Sequence, residues 1–144
     1  MSAFPYSNTV TVRFRDTDAQ GHLYFANYLV YADEIGGLYM TELGFSMHQI
    51  SAIECYVFTV NLQCDYIGEC TANDEVRVSV GYLRLGNSSA DMGFELCNDN
   101  TGEILVRGQF THVFADKSTR KSTPIPAALR AAIVARQPEL NADT

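Results

Sequence analysis

RFRDTDAQGHLYFANYL (residues 13–29) sets two carboxylates, Asp16 and Asp18, ahead of Gly21 and an aromatic-rich helical pattern. A carboxylate delivered beside a helix N-terminus sits where backbone N–H groups and the helix dipole stabilise developing negative charge. Acyl transfer needs that combination, a base or nucleophile close to an oxyanion donor. How the carboxylates are disposed depends on the backbone. If the preceding strand continues through them, Asp16 and Asp18 share one face; if the chain turns at Asp16, they diverge. An isolated D-x-D more often marks a turn or a helix cap. Gly21 and the helix start that follow shift the reading toward chemistry.

Outward from this stretch, residues 9–14 alternate polar and apolar and read as a strand. From about 24 to 43, Tyr28, Ala32, Ile35, Tyr39 and Leu43 recur at helical spacing, and Gly44 supplies a stop. Residues 45–51 are expected to add a short turn of helix. Four strands follow at 56–66, 75–85, 90–98 and 104–115, separated by Ala72-Asn73-Asp74, Gly86-Asn87-Ser88 and an Asn98-to-Gly102 turn. Pro124 and Pro126 break the chain before a helix at 127–136, and the tail beyond about 138 is expected to be loose. One long helix between a first strand and four more in antiparallel meander order is an α+β plan. A single apolar helix buries itself beside a sheet only if the sheet curls around it. Gly36 and Gly37 lie inside the helix, where each costs roughly 1 kcal/mol relative to Ala. Close approach of helix and sheet accounts for them, or a role toward substrate.

At 144 residues, 47% hydrophobic and 19% charged, the chain reads as one globular domain over 1–144. A net charge of −7 suits neither nucleic acid nor an anionic membrane as partner. No apolar run approaches membrane-spanning length, and MSAFPYSNTV lacks the features of an export signal. A cytoplasmic location is therefore expected, with Cys55, Cys64, Cys70 and Cys97 reduced. His22, His48 and His112 show no ligand spacing, so no metal is expected. Phosphate loops and a G-x-S-x-G elbow are missing from the sequence.

D-x-D-x-x-G followed by Tyr24-Phe25-x-Asn27-Tyr28 resembles the opening of the 4-hydroxybenzoyl-CoA thioesterase family. The resemblance implies a hotdog fold, a curled five-stranded antiparallel sheet around one long central helix. It maps the catalytic carboxylate onto Asp18, with Asp16 in support, and the oxyanion donor onto the backbone N–H of Phe25, with Tyr24 as neighbour. Asn27 falls on a polar position of the motif, where it orients the loop or, by preference, caps backbone groups. Asp33 matches an acidic helix position of similar members, with Glu34 a weaker candidate. Tyr28 is among the helix tyrosines that would line an acyl pocket, although such residues more often belong to the core. His22 is a further candidate as a general base.

RLGNSS (residues 84–89) resembles the family's turn toward coenzyme A, which singles out Arg84, Ser88 and Ser89. DKSTRKSTPIP (116–126) matches its basic exit loop, with Arg120 and Lys121 suited to phosphates or simply to solvent. The implied activity is hydrolysis of a small aromatic or short acyl-CoA to the acid and free CoA. Coenzyme A enters as part of the substrate, with no separate cofactor. A hydratase or dehydratase using His22, or a non-catalytic acyl-binding module, are the alternatives. The chain is expected to form a homo-oligomer, a dimer at least and by family habit a tetramer, because edge strands left unpaired invite pairing.

Overall fold

Val76, Val78 and Val80, then Met92, Phe94 and Leu96, then Phe110 and Phe114, recur at even spacing along the chain and are all buried. That alternation lays one apolar face across three adjacent strands. The computed structural model describes residues 4–143. It contains β1 (Tyr6–Thr11), a 3₁₀ turn (Phe14–Asp16), α1 (Phe25–Glu42), β2 (Cys55–Tyr66), β3 (Glu75–Leu85), β4 (Ser89–Asn98), β5 (Ile104–Asp116), α2 (Ala127–Arg136) and a last 3₁₀ segment (Pro138–Asp143). The five strands form one antiparallel sheet in the order β1-β3-β4-β5-β2. It curls around α1, which is the hotdog arrangement.

Helix α1 begins and ends within a residue of the sequence reading, with Tyr24 and Leu43 as caps and Gly44 at φ +95°. Only glycine enters that left-handed region without steric penalty. Tyr28, Tyr31, Ala32, Ile35, Tyr39 and Met40 bury one face of the helix. The helix packs over β3, β4 and β1.

Four expectations are corrected. Strands β3, β4 and β5 form a meander, but β2 does not join it next to β3; it pairs with β5 at the far edge. The chain leaving α1 comes down beyond β5, a long-range choice that local pattern does not encode. The first strand ends at Thr11 rather than residue 14, because the Val12 N–H turns to the Asp74 carbonyl (2.9 Å) and the 3₁₀ turn follows. Residues 45–51 form turns without helix. The tail is not loose up to Asp143: it winds as 3₁₀, with Leu140 buried.

What holds that tail is Gln137, 5% exposed. Its Oε1 accepts from the Tyr82 N–H (2.9 Å) and the Tyr39 hydroxyl (3.0 Å), while Nε2 donates to the Tyr82 carbonyl (2.8 Å). Burial pushes the Tyr39 hydroxyl up to about 12, so it stays a neutral donor. One side chain thus joins the end of α2 to both α1 and β3. Gln137→Ala leaves a buried N–H and C=O of Tyr82 unpaired, and each such group costs about 1–3 kcal/mol. A urea titration should show a lower midpoint with an unchanged slope; an unchanged midpoint would remove Gln137 from the core.

Candidate active site

The loop ahead of α1 is fixed by its own polar groups. Thr17 bridges to Leu23, the Asp18 N–H donates to the His22 carbonyl (2.9 Å), and the Gly21 N–H donates back to the Asp18 carbonyl (2.9 Å). Gly21 makes this reversal at φ +84°. Asp18 Oδ1 accepts from the Gln20 N–H (2.9 Å), and Oδ2 has no partner among the described residues. The chain has turned at Asp16, so the two carboxylates diverge.

Asp16 anchors the loop to the helix. Its Oδ2 accepts from the Tyr31 hydroxyl (2.8 Å), and its backbone carbonyl accepts from Asn27 Nδ2 (2.9 Å) and the Tyr24 N–H (3.0 Å). Burial first, and the Asp16 bond second, push the Tyr31 hydroxyl far above its ordinary range, so it remains a donor. Asn27 therefore orients the loop, and it does so by satisfying a backbone carbonyl; both readings of this residue meet in one bond.

The N-terminus of α1 carries no side-chain cap. The Tyr24 N–H is taken by Asp16, and the Phe25 N–H, the first inside the helix, has no acceptor among the described residues. The first N–H groups of a helix lack intrahelical partners, and a helix of this length concentrates partial positive charge there. Tyr66 at the end of β2 steadies this terminus: its hydroxyl donates to the Phe25 carbonyl (2.9 Å), and its ring meets Phe25 and Tyr28 edge-on. A carboxylate oxygen without a partner on a fixed loop, followed in the chain by an open helix N–H, supplies the two kinds of group that acyl transfer calls on.

The remaining candidates each have partners of their own. His22 lies on a bridge to Thr71, with Nε2 3.4 Å from the Glu69 carboxylate. Tyr28 is buried in the core, where its hydroxyl accepts the Cys70 N–H (3.3 Å). Arg84 pairs with Asp91 (2.9 Å) and reaches Ser89 Oγ (3.1 Å), and this pair lowers the Asp91 carboxyl below its usual range. The Ser88 carbonyl accepts the Phe114 N–H, the Asn87 carbonyl accepts the Ile125 N–H, and Arg130 bonds the Gly86 carbonyl. The 84–89 turn and the 116–126 loop are thereby tied together. Arg120 lies over the rings of Tyr56 and Phe58 (5.3 Å to each), and Lys121 is exposed beside it.

Sequence reading missed a cavity of about 180 Å³ between α1 and the β2–β5 side of the sheet. Asp33 and Glu34 stand at it, with Gly37, Met40, Met47, Val57, Thr59 and Phe110 among its walls. His112 also lines it, 6% exposed, with Nδ1 lacking any partner. Burial holds its imidazole below the ordinary range against the opposing pull of Asp33 and Asp91, which keeps the ring neutral at pH 7. The available signal was strand parity: in QFTHVF, His112 alternates with Phe110 and Phe114 and must face inward.

Residues 12–133 match the sequence profile of the thioesterase-like superfamily. The chain belongs to this superfamily. A 1,4-dihydroxy-2-naphthoyl-CoA hydrolase of Thermosynechococcus vestitus is 29% identical over 122 residues, 84% of this chain and 83% of that protein. A thioesterase from Thermus thermophilus, solved with coenzyme A and Zn, is 28% identical at TM-score 0.84, covering 96% of this chain and 98% of its own. A 1,4-dihydroxy-2-naphthoyl-CoA thioesterase from Synechocystis superposes at TM-score 0.82 with 22% identity, covering 89% and 94%, and attests the fold. Fold and family are thus those of CoA-thioester hydrolases.

Asn27→Ala tests the loop anchor in this superfamily member. Losing the bond to the Asp16 carbonyl should lower stability by about 1 kcal/mol and speed hydrogen exchange at the Tyr24 N–H, which shares that acceptor. Unchanged exchange would mean that Asn27 does not hold the loop.

Proposed function

We propose that the protein hydrolyses an acyl-CoA thioester, with an aromatic or short acyl group, to the carboxylic acid and free CoA. The observation that carries this reading is the Asp18 carboxylate fixed just ahead of an uncapped helix whose Phe25 N–H is open. Asp18 takes a proton from water as the water oxygen attacks the thioester carbon, or attacks that carbon itself through Oδ2. Either route moves negative charge onto the carbonyl oxygen, where the Phe25 N–H receives it. Collapse expels the CoA sulfur as thiolate. On the first route it takes up the proton that Asp18 removed from water. On the second it leaves the acyl group on Asp18 as a mixed anhydride, which water then hydrolyses to the acid, supplying the proton that the thiolate takes up. Asp16 and Asn27 position the loop and take no part in bond making. The curated relative from Thermosynechococcus is named for an aromatic CoA ester, which supports the acyl class.

The site requires two copies of the chain. Tyr66 and the α1 N-terminus lie at one end of β2, while Cys55 pairs with Asp116, next to the basic loop, at the other. Twelve residues of strand separate them, about 35 Å at roughly 3.3 Å per residue. Strand β2 is a free edge, and it leaves Val60 59% and Leu62 40% exposed. Antiparallel pairing of two such edges about their midpoint reverses the order. Val57 of one copy then faces Cys64 of the second, so the basic loop and cavity of each copy approach the α1 N-terminus of the other. A dimer is the minimum; two dimers associating further would give the expected tetramer.

Asp18→Asn should lower kcat on the best acyl-CoA by at least about a hundredfold with little change in KM; near-normal kcat removes Asp18 from the mechanism. Mixing this variant with an Arg120→Ala/Lys121→Ala variant that has a raised KM tests the shared site. Mixed dimers should recover one intact site if these residues come from different copies. A stable, active monomer by light scattering sinks the two-copy arrangement.

A further inference from the structure

Tyr66 ends the edge strand β2 and is 46% exposed, yet its hydroxyl turns back to the Phe25 carbonyl (2.9 Å). Phe25 is the first residue inside α1, so this bond gives the sheet a grip on the donor end of the helix. The peptide that carries the Phe25 N–H also carries the Tyr24 carbonyl, which accepts the Asn27 N–H (2.8 Å). On its upstream side the Tyr24 N–H is held by the Asp16 carbonyl (3.0 Å). On its downstream side the next peptide is held by Tyr66. Three consecutive peptides are thus bonded, and the N–H of the middle one has no acceptor among the described residues. Asp16 belongs to the loop and Asn27 to the helix itself; Tyr66 brings in the sheet.

The anchor is itself fixed. Tyr66 pairs with Val106 on β5, and the next two N–H groups, of Ile67 and Gly68, both donate to the Leu105 carbonyl (2.8 and 3.0 Å). A Cβ on Gly68 would meet the Ile104 carbonyl at 2.8 Å, so glycine lets the chain lie this close to β5. The Tyr66 ring stands edge-on to Phe25 (6.2 Å, 79°) and Tyr28 (5.9 Å, 75°). Burial pushes its hydroxyl up to about 12, which leaves it a donor at neutral pH. Four residues on, the Cys70 carbonyl accepts the Leu23 N–H (2.9 Å), and the Cys70 N–H donates to the Tyr28 hydroxyl (3.3 Å). The connection from β2 to β3 therefore brackets loop and helix end together.

We propose that Tyr66 is a positioning residue for thioester hydrolysis, its hydroxyl fixing the direction in which the Phe25 N–H meets the oxyanion. This rests on the hydrolase reading above and adds a residue from outside the loop and helix that make up the site. A donor for developing charge works best when its dipole is already aimed and needs no reorganisation. Such an interaction strengthens in the transition state, so spoiling it lowers kcat and spares KM. Misaiming the donor costs less than removing it, for which roughly a hundred- to a thousandfold in kcat is typical.

Tyr66→Phe keeps the ring contacts and removes one hydrogen bond from a half-exposed side chain. It is compared with the unaltered protein on whichever of benzoyl-CoA, 1,4-dihydroxy-2-naphthoyl-CoA and butyryl-CoA the unaltered protein hydrolyses fastest. The value of kcat should fall about tenfold, with KM changed by no more than about twofold. An unchanged kcat overturns the inference whatever happens to the urea midpoint, since a bond with a structural role alone moves only stability. A raised KM with kcat intact overturns it too, because Tyr66 would then act on bound substrate. The direction of the N–H is read separately, from residual dipolar couplings of protein labelled with nitrogen-15 at its eight phenylalanines. The Phe25 coupling should change in Tyr66→Phe while those of Phe94 and Phe114 in the core stay as they are. An unchanged Phe25 coupling overturns the inference and leaves hydrolysis standing. Absence of turnover with every ester overturns the hydrolase reading instead, and the couplings then rule on whether Tyr66 aims this N–H.

Discussion

A single helix must bury its apolar face in a sheet wider than itself, and the rest of this structure follows from where it lies. Helix α1 covers β3, β4 and β1. The inner face of β5 and β2 is left partly uncovered, and the cavity with His112 sits in that strip. The same offset leaves β2 as an edge with exposed apolar side chains. One geometric mismatch thus accounts for both the cavity and the uncovered apolar edge. Open edges with apolar side chains are costly in solution unless another strand covers them.

The proposed chemistry depends on rigidity at the opposite end of the helix. Asp16 has a carboxylate, yet its contribution lies in what it accepts: the Tyr31 hydroxyl on its side chain, and Asn27 with Tyr24 on its carbonyl. Those bonds distinguish two aspartates that look equivalent in sequence. One is held by the helix and holds the loop. The other keeps an oxygen free. A positioned carboxylate beside a preorganised donor needs no rearrangement as charge develops, which is where such sites gain most of their effect.

Much of this is legible in the sequence, for identifiable reasons. Helix α1 is readable because its buried face recurs at helical spacing and Gly44 ends it; β3 and β4 are readable because alternation and turn residues agree. The placement of β2 is not, since its pairing with β5 spans as many residues as Cys55 to Asp116 and no local pattern records it. The end of β1 escapes a pattern reading because a backbone bond to the Asp74 carbonyl, not alternation, bends the chain at Val12. Metal-like spacing passes over His112, although its parity with Phe110 places it inside. The divergence of Asp16 and Asp18 needs Tyr31 and Asn27, whose roles emerge only once the loop has folded back.

Gln137 has a bearing on how the chain is made. It sits near the C-terminus, yet its amide joins Tyr39 and Tyr82, 98 and 55 residues earlier. During synthesis α1 emerges long before β5, and well before the residue that closes its far end. Non-local closure of this kind slows folding, and transiently exposed apolar surface invites aggregation. The nascent helix therefore has β1 beside it from the start but precedes β3 and β4, the strands it packs on most, and its tie to Gln137 forms only after residue 137 has been made.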